Sequence, residues 1–405
     1  MYFFPLYIDP GTGSALFSVA IGIAATLYFV LRAVFIKLKT AFSGGKTSAK
    51  NTNTCKYAIY NEGKQYWDLF KPVLEEFENN KTETRYLTSA VDDPVFEKEW
   101  QFIKPEFIGE GNKAFAFLNF FSAQVLLMTT PGLDVYQLKR SKNVKHYSHV
   151  IHGTTDATTY RLFGLDYFDS VLLTGDYQGD DIRVLEKQRN LPEKNIVTVG
   201  CSYLDEYEKK KSQIPKEENP PFTVLVSPSW GACALLTRYG ERLLDPLSRS
   251  QWRIIIRPHP QSKISERPIL EKLQSRYKDC ANFIWNFDRE NIYCLSKADI
   301  MISDFSGIIF DYMFLCNKPV LYVNHDFDTR PYDADDIEHE LWQFKTLKKT
   351  GIELKEKDFD QIIDIIKNAS DSESLASARN KARDTAWQFR GEAGRRTFEF
   401  MTGII

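Results

Sequence analysis

The chain has 405 residues, more than one domain of ordinary size needs, so two domains with separate cores are expected. With 43% apolar and 26% charged residues it is globular rather than disordered, and a formal charge of -2 gives no electrostatic basis for nucleic acid as a partner. Its six cysteines show no C-x-x-C spacing, which offers neither a zinc site nor a disulfide framework and fits reduced thiols in a cytoplasmic body.

The first element is "ALFSVAIGIAATLYFVL", residues 15–31, which carries no charge and is extended past Arg32 by "AVFI". A transmembrane helix over about residues 15–36 is predicted within an N-terminal segment 1–40. The basic residues Arg32, Lys37, Lys39, Lys46 and Lys50 all follow the apolar run. That order predicts a retained single-pass anchor with the body on the cytoplasmic side of the cell membrane, since a cleaved signal carries its charges first. Residues 41–54, "AFSGGKTSAKNTNT", have the small polar composition of a flexible linker.

Beyond the linker, short apolar runs alternate with amphipathic ones. "KYAIYN", "TRYLTS", "AQVLLMTT", "YSHVIHG", "SVLLTG" and "NIVTVG" read as strands, and "QYWDLFKPVLEEFENN" has the spacing of a helix. Charges and three prolines interrupt the pattern over 209–222; then "FTVLVSPSW", "WRIIIRPHP", "NFIWNF", "ADIMISDFSG" and "KPVLYVN" resume it. The fold class predicted is α/β, with two Rossmann-like domains, 55–210 and 220–405, facing a cleft.

In such sheets ligands bind beyond the carboxyl ends of the strands, so the residues just after each strand are the candidates. They are His152 and Gly153 after "YSHVI", Ser227 and Ser229 after "TVLV", and Arg257 and His259 after "WRIII". After "ADIMI" come Ser303, Asp304, Ser306 and Gly307, immediately before a helical pattern whose free N–H groups suit phosphate oxygens. Prolines on both sides of His259 fix where its imidazole points. Arg257 and His259 beside that helix start make a clamp for a pyrophosphate. His146, His149 and His152 lie within one strand, but only His152 stands at its carboxyl end; the other two read as ordinary strand residues.

Taken in order, "HVIHG", "VSPSWG", "IIIRPHP" and "MISDFSGIIFDYMFLCNKPVLYV" resemble the CDP-glycerol glycerophosphotransferase family, the teichoic acid primases and polymerases. The resemblance runs over about residues 147–323. It implies a GT-B fold and transfer of a polyol phosphate from CDP-glycerol or a related CDP-polyol to a hydroxyl of a lipid-linked or glycan acceptor, with CMP released at the membrane. It implies a catalytic base at His152 and donor binding by His259, Ser303, Asp304 and Ser306; the strand-end positions add Ser227, Ser229, Arg257 and Gly307 to the donor site, and His259 is counted with His152 as catalytic. Neither cofactor nor metal is expected: the D-x-D at Asp326 and Asp328 falls in an acidic stretch that reads as solvated loop. The sequence departs from the family where "TTDATTYR" follows the His-Gly and where "GCSYLDEY" lacks a Pro-Arg pair, both on the acceptor side. Two other readings are a GT-B glycosyltransferase using a nucleotide sugar and a non-catalytic membrane-tethered binding protein. A charged His259, stabilised by the pyrophosphate, is also expected.

Overall fold

The computed structural model describes residues 54–323, 327–369 and 373–404, with the folded body beginning at Cys55. The predicted membrane helix, residues 41–53 of the linker and Asp326 lie outside the described residues. Among those described, no helix is long and apolar enough to cross a membrane.

The first sheet has seven strands: β1 Cys55–Asn61, β2 Thr84–Thr88, β3 Ile103–Phe107, β4 Ala123–Met128, β5 Val144–Val150, β6 Ser170–Leu173 and β7 Asn195–Thr198. Their spatial order is β3-β2-β1-β4-β5-β6-β7, with every pairing parallel. The second has six: β8 Thr223–Val226, β9 Arg253–Ile256, β10 Phe283–Trp285, β11 Ile300–Ser303, β12 Val320–Val323 and β13 Ile352–Leu354, ordered β10-β9-β8-β11-β12-β13 and again parallel. Strand order reverses between β1 and β4 and between β8 and β11, which opens a crevice at the carboxyl edge of each sheet.

Each sheet is covered on both faces, and the side-chain alternation along the strands divides its core in two. Tyr57 and Ile59 of β1 join the helix Trp67–Asn79 on one face, while Ala58 and Tyr60 join Leu126, Met128 and Tyr147 on the other. In the second sheet Val224 and Val226 point to one core, and Leu225 to the opposite one.

The chain does not end where its second lobe does. The helix Glu373–Ala386 packs on the second lobe through Ala382 and Ala386. Gln388 then donates its N–H to Thr174 O at 3.1 Å, and the last helix, Ala393–Gly403, lies on the first lobe with Met401 in its core. The division read from sequence at 220–405 therefore assigns this helix to the wrong lobe; its apolar residues Phe398 and Met401 complete the surface of Trp67–Asn79. The crossing segment passes so close that a Cβ on Gly175 would sit 2.2 Å from Thr385 O.

Polar ties join the lobes, among them two built on buried carboxylates. Arg189 is bound to Asp166 and Asp333 at 2.7 Å each and to Asp336 at 2.6 Å. Removing this cation would strand two buried carboxylates, a loss of about 3–5 kcal/mol. Asp156 accepts the N–H groups of Trp342 and Gln343 at the start of the helix Trp342–Thr350, at 2.9 and 2.8 Å.

Candidate active site

A cleft of about 430 Å³ lies between the lobes, lined by His152 and Gly153 from the first and by Ser227, Arg257, His259, Ser306 and Gly307 from the second. Seven residues that the strand-end reading separates by up to 155 positions thus meet in one space.

His152 leaves the end of β5 half-buried, with its ring tilted 5.0 Å from that of Tyr66. Its Nδ1 is 2.8 Å from Thr129 Oγ1 and 3.1 Å from the Tyr160 hydroxyl. Thr129, the residue after β4, donates its own proton to Val150 O at 2.8 Å. Burial pushes the His152 imidazole down to about 4, so it is neutral at physiological pH. His149 is not the ordinary strand residue expected: it is fully buried, and its Nε2 lies 3.3 Å from the same Tyr160 hydroxyl. His146 lies apart from this chain of contacts, with Nε2 at 2.9 Å from Ser170 Oγ.

In the second lobe the structure separates residues that face the cleft from residues that hold it. Ser227, Ser306 and Gly307 line it directly, the last two at the start of the helix Ile308–Cys316. Ser303 and Asp304, expected to touch the donor, are fully buried and do not line this cleft. Ser303 donates to Ser227 O at 2.5 Å. Asp304 accepts three backbone N–H groups, from Ser229 and Leu235 at 2.9 Å each and from Ser306 at 3.2 Å. These contacts fix the loop after β8 against the loop after β11, and Ser229 is buried as part of that brace. Burial raises the Asp304 carboxyl and the three N–H groups oppose the rise.

Arg257 lines the cleft but spends its guanidinium on the segment after β10. It bonds Asn286 Oδ1 and, at 2.8 Å, Asp288 O. The expected phosphate clamp is thus also a loop holder, which brings Arg289 and Asn291 to the cleft wall. His259 is held by its own loop, and the charged form expected of it belongs to the ring beside a phosphate. Its Nδ1 accepts the N–H of Gln261 at 3.1 Å and burial lowers its pKa, which Glu266 partly offsets. A nitrogen that accepts an N–H has no room for a proton, so the ring is neutral.

Asp311, in the same helix as Ser306 and Gly307 introduce, is a cleft residue that the strand-end rule passes over. It accepts the Tyr203 hydroxyl, and burial pushes its carboxyl up to about 7. The signal available was a single acid inside "IIFDYMFLC", a helix otherwise apolar all round. Asp328 of the D-x-D is paired with Arg330 at 2.7 Å on the surface, and no group of three potential metal ligands occurs among the described residues.

Residues 233–400 match the sequence profile of the family described as CDP-Glycerol:Poly(glycerophosphate) glycerophosphotransferase. No curated protein matches the sequence. Among solved structures the chain is similar to the wall teichoic acid polymerase TagF, at 14% identity and a TM-score of 0.57, over 94% of this chain and 97% of that one. It is also similar to the UDP-GlcNAc 2-epimerase of Methanocaldococcus jannaschii, solved with UDP-GlcNAc and UDP, at 14% identity and a TM-score of 0.58, over 86% of this chain and 99% of that one. Likeness at this identity establishes the fold, two Rossmann-like lobes of GT-B type, and does not choose between chemistries. The profile match over residues 233–400, joined to the order of the motifs after β8, β9 and β11, makes the chain similar to the CDP-glycerol glycerophosphotransferases and supports an enzyme of that kind.

Proposed function

We propose that the chain transfers glycerol phosphate, or a related polyol phosphate, from a CDP-linked donor to a hydroxyl of a lipid-linked or surface-glycan acceptor, at the cytoplasmic face of a membrane to which residues 15–36 anchor it. The observation that carries the reading is the meeting in one cleft of a neutral histidine from one lobe with hydroxyls, a second histidine and a helix start from the other.

In this reading the acceptor oxygen attacks the phosphorus that bears the polyol. A new P–O bond forms, the bond to the bridging pyrophosphate oxygen breaks, and CMP leaves with those electrons. His152 takes the acceptor proton as the bond forms, because an alcohol is far too weak an acid to ionise unaided near neutrality. Ser227, Ser306 and the first N–H groups of the helix Ile308–Cys316 receive the donor phosphates. Support for the donor comes from the profile match and from the TagF crystal soaked with CDPG.

The fold likeness to an enzyme solved with UDP-GlcNAc keeps a nucleotide-sugar donor as the second reading. Incubation of the purified full chain with CDP-glycerol, CDP-ribitol, UDP-GlcNAc and GDP-mannose, each with a polyol phosphate acceptor, separates the two. CMP release from one CDP-polyol is the expected result. Release of UDP or GDP favours the second reading, and binding without any release favours a non-catalytic protein of this fold.

A further inference from the structure

We infer that the two cleft histidines are held in opposite tautomers, His152 with its proton on Nδ1 and His259 with its proton on Nε2, and that Thr129 is the positioning residue that fixes the first. The assignment of roles rests on the transfer reading above; the tautomers follow from hydrogen bonding alone.

A threonine hydroxyl has one proton and two lone pairs. That of Thr129 is committed to Val150 O at 2.8 Å, so what it presents to His152 Nδ1, also at 2.8 Å, is a lone pair. An unprotonated Nδ1 there would set two lone pairs against each other at hydrogen-bond distance, so Nδ1 carries the proton and donates it. The competing arrangement has Tyr160 donating to Nδ1 across 3.1 Å, which leaves the shorter Thr129 contact repulsive. With Nδ1 protonated, the Tyr160 proton goes instead to His149 Nε2 at 3.3 Å. His149 Nδ1 has no partner in either arrangement and does not discriminate between them. Nε2 of His152 is left as a lone pair on the ring nitrogen available to the cleft.

At His259 the logic is inverted. The N–H of Gln261 occupies the Nδ1 lone pair at 3.1 Å, so the proton of the neutral ring is on Nε2. One histidine therefore offers the cleft an acceptor of protons and the other a donor of a hydrogen bond. Base and phosphate ligand are distinguished by which backbone and hydroxyl groups stand behind two identical rings.

The test is nitrogen-15 spectroscopy of the full chain, labelled only at its six histidines and held in lipid nanodiscs at neutral pH. The two signals are assigned with His152→Gln and His259→Gln. Expected are an unprotonated Nε2 at His152 and an unprotonated Nδ1 at His259. Thr129→Val should populate the other His152 tautomer and lower kcat about 10- to 100-fold, with donor Kd unchanged, and Thr129→Ser should restore both. A protonated Nε2 at His152 in the wild type, or a Thr129→Val spectrum identical to it, overturns the inference. The expected spectrum in a chain that releases no CMP would refute the transfer reading and leave the tautomers standing.

Discussion

The loops after β5 and after β9 each end in a histidine facing the same cleft, yet they are built in opposite ways. The first buries its ring among Thr129, Tyr66 and Tyr160 and keeps it neutral by burial. The second holds its ring from the backbone, through the N–H of Gln261, between two prolines. The difference teaches that a histidine's chemistry is set behind the ring, by the group its inner nitrogen meets, and residue type alone does not disclose it.

The largest expected effect breaks the second-lobe side of the comparison. Asp304→Ala leaves three backbone N–H groups without their acceptor, at about 1–3 kcal/mol each where burial is complete. A drop in unfolding free energy of about 3 kcal/mol or more is expected by denaturant titration, together with loss of donor binding. A variant of wild-type stability would show that the loops after β8 and β11 hold one another without it.

A smaller effect sharpens the first-lobe side through pH. Only neutral His152 acts as base, and its imidazole is held down to about 4. An unperturbed histidine would lose about tenfold in turnover at pH 5.5. Wild-type turnover should instead hold within about twofold there, as read by CMP release. Among the groups around it, Tyr66 and Tyr160 are pushed upward by burial and His149 far downward, so none of them titrates in this window. A limb near pH 7 would belong to Asp311, whose carboxyl is pushed up to about 7, and should vanish in Asp311→Asn.

The smallest effect concerns His259. A glutamine amide can donate a hydrogen bond as the neutral Nε2–H does, so His259→Gln should keep donor Kd within about threefold, whereas His259→Ala should raise it about tenfold. Donor binding should be flat from pH 7 to 9. An affinity that falls across that range would restore the charged His259 that the clamp was expected to contain.

Much of this arrangement is legible in the residue pattern itself. Eleven of the strands follow from apolar runs, but β3 and β13 do not. Pro105 in "IKPEF" reads against a strand and is tolerated because β3 is an edge; β13, "IEL", has a Glu between its two apolar residues and so presents no apolar run. The strand-end rule found His152 and His259. Applied to β4 it would also have found Thr129, which directly follows the strand's last residue, Met128. Asp156 and the N–H groups of Trp342 and Gln343 leave no local trace, because they are 186 and 187 positions apart. Which of two neighbouring polar residues faces the cleft is likewise decided by packing: Ser306 lines it while Asp304 is sealed behind.

The division of labour between the lobes is tested most directly by His152→Ala, with donor Kd from calorimetric titration and CMP release measured on the same preparation with CDP-glycerol. The expected result is a Kd within about twofold of wild type and turnover lower by about 10²- to 10⁴-fold. Donor binding lost in step with turnover, or CMP release unchanged, would contradict the assignment of the chemistry to the first lobe.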